Sequence, residues 1–326
     1  MKAVRVHQTG DLDALALEDV TLPAPGEGEL RIGVRACGIN FADMLMVRGL
    51  YQEKPETPFT PGLEIAGEVL EAGPGLKTFR PGDRVVALVQ RGGLAEEVIA
   101  PAATTLPLPE GVDYATAAAF PVAYGTSHLA LTHRANLQPG ETVLVHGAAG
   151  GVGSTSVEIA KKLGATVIAT ASTRQKLNVA RVCGADYLID SSTEPVRDRV
   201  REITGGKGAD VVIDPVGGEM FDASLRAINF EGRIVVIGFA CGTIPQIPAN
   251  LLLVKNISVL GLYWGAYSWK RPEILAGSMQ QLLTWLAEGA IAPHIGGRYP
   301  LAEAGAALKS LADRKAVGKV VVTVGE

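Results

Sequence analysis

Residues Thr142 to Gly153 constrain this chain more than any other stretch. Thr142-Val143-Leu144-Val145 is β-branched and apolar, and His146-Gly147-Ala148-Ala149-Gly150-Gly151-Val152-Gly153 turns it sharply. A helical stripe follows at once, with Val152, Ser156, Ile159, Ala160 and Leu163 on one side. Strand, tight turn and helix are the setting in which a glycine-rich segment holds a dinucleotide. Gly150 lets the main chain approach a pyrophosphate, and Gly153 lets helix and strand pack closely. The helix start supplies N–H donors and the positive end of its dipole. Ala149, Gly151 and Val152 complete the expected contact loop. Ala148 replaces the usual first glycine, so the pattern is A-x-G-x-x-G. The alternative is a glycine-rich turn of some other α/β protein.

The surroundings agree with a doubly wound parallel sheet. Apolar strands are expected at 142–147, 166–170, 187–190, 209–214, 232–238 and 257–262, alternating with helices at 151–164, 174–183, 194–204 and 219–228. Residues 1–122 read differently. Short alternating runs such as Leu30–Ala36, Ile65–Leu70 and Arg84–Val89 are punctuated by Pro-Gly pairs, the pattern of a mostly antiparallel β domain. Towards the C-terminus, helices are expected at 272–289 and 302–313 and a strand at 318–324. One strand cannot stand alone, so it is expected to pair back into the first domain. The domains are thus 1–122 with 265–326, and 123–264.

With 326 residues, net charge −4 and 47% hydrophobic residues, the chain has material for two domains and no global field to attract nucleic acid or an anionic membrane. No apolar run is long enough to span a bilayer. Cys37, Cys183 and Cys241 are too few and too scattered for a disulfide framework or a zinc knuckle, which fits a reducing cytoplasm. The five histidines form no close pair with metal-ligand spacing.

Four segments in order, Ala36-Cys37-Gly38-Ile39-Asn40-Phe41-Ala42-Asp43, Pro61-Gly62-Leu63-Glu64-Ile65-Ala66-Gly67, Gly82-Asp83-Arg84-Val85 and Val145–Gly153, resemble the medium-chain dehydrogenase/reductase superfamily. Within it the chain is most similar to the zinc-free, zeta-crystallin-like quinone oxidoreductases. The resemblance implies a GroES-like β-rich catalytic domain plus a Rossmann domain, with cofactor and substrate in a cleft between them. Zinc-dependent relatives place a cysteine where Asn40 stands, a histidine where Leu63 stands and a second cysteine near Ala118. A catalytic zinc needs three N, S or O ligands, and Leu63 and Ala118 offer none. No metal is therefore expected, and Glu64 reads as a buried structural carboxylate.

An NAD-specific sheet ends its second strand on Asp or Glu to hold the ribose 2′-hydroxyl. Here that strand runs into Ser172-Thr173-Arg174-Gln175-Lys176, with no acid. Ser172, Arg174 and Lys176 favour the 2′-phosphate of NADPH. Positive charge at a helix start opposes the helix dipole, so an anionic partner explains it better than a solvated turn. The resemblance singles out Lys176, and it places Thr126 beside the nicotinamide. Gly238, Phe239 and Ala240 follow one strand of the sheet and Leu262 ends the next, where ligands gather.

On the substrate side, Asn40 is either a turn residue or a donor to the substrate carbonyl or nicotinamide ribose. Tyr51 either hydrogen-bonds or stacks on a quinone, or is a packed surface tyrosine. Asp43 reads as structural. The resulting expectation is an NADPH-dependent quinone or enone reductase without zinc. An enoyl-CoA-type reductase is the enzymatic rival, and it would draw on the scattered Arg48, Lys54, Lys270 and Arg271. A non-catalytic, crystallin-like NADPH-binding protein is the other. The apolar strand at 257–262 would be a sheet edge, and the resemblance implies a homodimer joined there.

Overall fold

The computed structural model describes residues 1–325. The chain divides into two compact units, 1–123 with 283–326, and 124–282. From the N-terminus, β1 (Lys2–Val6) and β2 (Leu15–Asp19) form an antiparallel pair. Next come β3 (Glu29–Ile39), α1 (Phe41–Val47), β4 (Glu64–Ala72), β5 (Arg84–Leu88), β6 (Glu97–Pro101), β7 (Thr105–Pro107), α2 (Tyr114–Ala118) and α3 (Pro121–His128). The second unit continues with β8 (Thr142–Val145), α4 (Gly151–Lys162), β9 (Thr166–Ala171), α5 (Arg174–Val182), β10 (Tyr187–Asp190), α6 (Val196–Ile203) and β11 (Ala209–Asp214). It goes on through α7 (Glu219–Ala227), β12 (Ile228–Val236), α8 (Ala249–Lys255), β13 (Ser258–Gly261), α9 (Tyr267–Lys270) and α10 (Pro272–Ala287). The chain closes with β14 (Ile295–Pro300), α11 (Ala304–Ala312) and β15 (Lys319–Thr323).

In the β-rich unit the strand order is β14-β15-β3-β4-β5-β7, with β6 also on β3. The closing strand does pair back, since β15 lies antiparallel to β3 with Val320 opposite Ile39. On the other side of β3, β4 is antiparallel with Gly38 opposite Glu64. β15 and β4 therefore both begin where β3 ends. Charged residues that open apolar strands, Glu64 and Lys319, are brought to the same place as Asn40. Leu30, Ile32, Ile39, Met44, Ile65, Val85 and Val322 build the core of this unit.

The second unit is a six-stranded parallel sheet, β10-β9-β8-β11-β12-β13. Its order reverses direction beside β8, the strand carrying the glycine-rich turn, and in such sheets ligands sit at that switch point. Leu144, Ile168, Ile189, Val212, Phe221 and Ile234 pack on its covered faces. Residues 265–282 belong with this unit rather than with the β-rich one, where sequence reading puts them. Local contacts explain the difference. His128 Nδ1 lies 2.8 Å from Ser278 Oγ, and the Tyr267 and His133 rings meet edge to face. Among the described residues no helix is long and apolar enough to cross a membrane.

Candidate active site

In the β-rich unit, Asn40 caps α1 in extended conformation, its main-chain N–H donating to Asp43 Oδ2 at 2.8 Å. Asp43 is fully buried, and its Oδ1 accepts from the Gly62 N–H at 3.1 Å. Burial pushes its carboxyl up to about 7 despite these two hydrogen bonds, with the nearby Glu64 charge adding to the rise. Asp43 thus holds the turn to α1 and the Pro61-Gly62 turn together, the structural role the sequence suggests.

The Asn40 side chain points into a buried charge pair. Lys319 Nζ and Glu64 Oε1 are 2.7 Å apart, with the side chains 3% and 0% exposed. The ammonium uses its donors on Glu64 Oε1, on Asn40 Oδ1 at 2.7 Å and on the Ile39 carbonyl at 3.1 Å. Glu64 is matched as fully. Oε1 also accepts from Asn40 Nδ2 at 2.7 Å, and Oε2 accepts from the Val122 N–H at 2.7 Å, in the first turn of α3. A carboxylate at a helix start is favoured by the helix dipole. Gly38 is required beside this cluster, because a Cβ there would lie 2.1 Å from the Ala118 carbonyl oxygen and 2.5 Å from Glu64 Oε1. Lys319 was not found by sequence reasoning. Tyr51 packs half-buried against the apolar core of this unit.

In the second unit, β8 leads into α4, whose cap residue Gly150 supplies no side-chain cap. The turn is tight. Gly150 N–H donates to the Gly147 carbonyl at 2.9 Å, and a Cβ on Gly153 would lie 2.1 Å from that same oxygen. Bare N–H groups in the first turn of α4, with no side chain at Gly150 or Gly151, make a cradle for an anionic ligand. Ala149 and Val152 belong to the same turn, and Ser127 in α3 ties to it through the Val152 carbonyl at 3.0 Å and Thr155 Oγ1 at 2.7 Å. That tie positions the adjacent, buried Thr126.

Beyond β9, Thr173 caps α5 by accepting from the Lys176 N–H at 3.3 Å. Ser172 and Arg174 are exposed and Lys176 is half-buried on that first turn. At the far end of β11, Asp214 is buried. Its Oδ1 accepts from Val216 and Gly217 N–H at 2.8 and 2.9 Å, and its Oδ2 has no partner among the described residues. Gly238, Phe239 and Ala240 return to this edge, with Ala240 N–H donating to the Pro215 carbonyl at 3.1 Å. Leu262 joins them through its N–H on the Val236 carbonyl. His146 is buried between Thr170 and Ser224, and burial pushes its pKa down, against the pull of Asp214, so the imidazole is neutral. Trp264 was also missed by sequence reasoning. Its buried indole N–H has no partner among the described residues, and its ring lies against Gly125, one residue from Thr126.

Among the described residues no three His, Cys, Asp or Glu side chains cluster as a metal site. Cys241 is half-buried and bonded to the Thr243 main chain, and burial pushes the Cys37 thiol up, so neither reads as a nucleophile.

Two family models match the chain, the alcohol dehydrogenase GroES-like domain over residues 26–110 and the zinc-binding dehydrogenase domain over residues 151–287. Quinone oxidoreductase-like protein 2 of Bos taurus is 44% identical over 311 residues, covering 95% of this chain and 89% of that protein. The solved Escherichia coli quinone oxidoreductase, complexed with NADPH, superposes with a TM-score of 0.91 at 31% identity and covers 99% of this chain and 100% of that one. The Thermus thermophilus quinone oxidoreductase, also solved with NADPH, gives a TM-score of 0.85 at 36% identity, again over 99% and 100%.

Proposed function

The chain belongs to the medium-chain dehydrogenase/reductase superfamily, in its quinone oxidoreductase branch, and from that premise we propose that it is a zinc-independent NADPH-dependent reductase of quinones or α,β-unsaturated carbonyls. One observation carries the reading. The group facing Asn40 is a buried ammonium–carboxylate pair, with all three Lys319 donors committed. A second cation beside that ammonium would be repelled, and Leu63 and Ala118 add no ligand.

When bound, NADPH supplies the hydride. The chain's own groups hold and orient it. The first turn of α4 takes the pyrophosphate, and Ser172, Arg174 and Lys176 take the 2′-phosphate. Thr126 and residues 238–240 flank the nicotinamide end, with Leu262 as an apolar wall. Asn40 donates from its amide to the acceptor's oxygen as negative charge gathers there. An activated acceptor needs no stronger electrophile than that. Tyr51 contacts the acceptor ring. The enoyl-CoA reading gains nothing from the cations it would need, since Arg271 is paired with Glu273 and Arg48, Lys54 and Lys270 are exposed.

We place the protein in the cytoplasm, with its three cysteines free. A homodimer is part of the proposal. Among the described residues β13 pairs only with β12 and is the sheet edge, and Ile244, Ile247, Leu253 and Val254 are exposed before it. Sedimentation at micromolar concentration giving a monomer would remove the dimer.

The activity is tested by NADPH oxidation with EDTA-treated protein and 1,4-benzoquinone, a simple enone or crotonyl-CoA. Quinone or enone turnover that survives EDTA and prefers NADPH over NADH is the expected result. Dependence on added zinc, or preference for the CoA ester, would overturn it.

A further inference from the structure

A side-chain amide can present either its oxygen or its nitrogen at a given point, and hydrogen-bond partners decide which. For Asn40 the two neighbours are the partners of the buried Lys319–Glu64 ion pair. One amide atom faces an ammonium that can only donate. The other faces a carboxylate that can only accept. The reversed amide would set N–H against Lys319 Nζ and oxygen against Glu64 Oε1, so both contacts would become repulsive. Oδ1 thereby faces Lys319 and one Nδ2 hydrogen goes to Glu64, so the amide is held in one orientation. The second Nδ2 hydrogen is the one polar hydrogen of this side chain left to a ligand, and Asn40 keeps 9% of its surface exposed.

We propose that Lys319 is a positioning residue that locks and polarises the Asn40 amide, so that the site offers a fixed donor to an electron-rich oxygen. The consequence is selectivity by class. A carbonyl, enolate or phenolate oxygen is received as an acceptor, and a group that must itself donate at that point is not. Polarisation follows from the same geometry, since a cation on an amide oxygen draws electron density from the nitrogen and strengthens its N–H donors. The inference rests on the proposed reduction of a carbonyl-type acceptor, so its test needs a readout that does not require turnover.

The probe is 4-nitrophenol, whose phenolate mimics the charged oxygen and absorbs separately from the phenol. Its bound pKa is measured by absorbance on NADPH-saturated protein. Four chains are compared: wild type, Lys319→Met, Asn40→Ala, and the two combined. Lys319→Met is expected to weaken the preference for bound phenolate about tenfold, the size of the net contribution of one hydrogen bond. In the Asn40→Ala background the same change should do markedly less, because only the direct charge of Lys319 then acts on the phenolate. Lys319→Gln, a neutral donor, should recover part of the loss. If Lys319→Met alone does not fold, Glu64→Gln/Lys319→Met with and without Asn40→Ala makes the same comparison. An equal bound pKa in wild type and Lys319→Met, or a Lys319 effect of undiminished size without Asn40, would overturn the inference. Failure of the proposed reduction reads separately, as absence of NADPH oxidation by a wild type that still shifts the phenol.

Discussion

Removing the Lys319 ammonium should destabilise the β-rich unit by about 3 kcal/mol, at the lower end of the cost of leaving one charge of a buried pair uncompensated. The size follows from what Glu64 keeps. Its side chain is wholly buried, so its charge gains almost nothing from water. It still accepts from Asn40 Nδ2 and the Val122 N–H, which spares part of the penalty. Glu64→Gln should cost a similar amount, because the 3%-exposed ammonium then loses its counter-charge. Combining Glu64→Gln with Lys319→Met removes both charges at near-constant volume. The pair should then cost less than the two single changes added together, leaving a coupling of roughly 2 kcal/mol. Urea unfolding of the four chains at pH 7 measures this cycle. Repeating it in 0.5 M NaCl should change the coupling little, since buried charges are weakly screened. Single changes costing under about 1 kcal/mol, or a coupling that salt abolishes, would show that the pair behaves like a surface ion pair and refute the reasoning.

Further expectations concern the dinucleotide side and Asp43. Gly153→Ala forces a Cβ to 2.1 Å from the Gly147 carbonyl oxygen, so the turn must move. About 1–3 kcal/mol of stability should go, and NADPH affinity with it, by calorimetric titration. Arg174→Ala with Lys176→Ala should weaken NADPH about tenfold or more and leave NADH nearly unchanged, since only the 2′-phosphate loses partners. Equal loss for both nucleotides would place these residues elsewhere. Asp43, with its carboxyl raised to about 7 by burial, binds its proton more tightly folded than unfolded. Its contribution to stability is complete below the unfolded carboxyl pKa near 4 and declines as pH rises towards 7, by up to roughly 4 kcal/mol. Carbon-13 NMR of the Asp43 carboxyl should show a midpoint near 7; one below 4 would contradict the assignment.

The parallel sheet was legible because its signals are local. Each apolar strand is followed by its own helix, and A-x-G-x-x-G lies within one turn. The strand at 232–238 was the loosest case, since β12 starts at Ile228 and stops at Val236. There α7 runs into the strand with no turn residues to mark the junction. The Asn40 part of the candidate site was half legible. Asn40 and Glu64 stood out through their motifs, and Asp43 as a structural aspartate, but Lys319 did not, because a lysine next to a glycine reads as a solvated strand end. It opens a strand that lies inside the sheet, between β14 and β3, a placement no local pattern encodes. One signal was present. Glu64 and Lys319 are opposite charges that each open an apolar strand, and the closing strand was expected to return to the first domain. Had that strand been placed antiparallel beside β3, its first residue would have fallen at the end of β3, next to Asn40. Two charges that look ordinary in separate strands become a constraint on a third residue once the pairing is known. The register of a long-range strand, more than any motif, therefore determines which hydrogen Asn40 can offer.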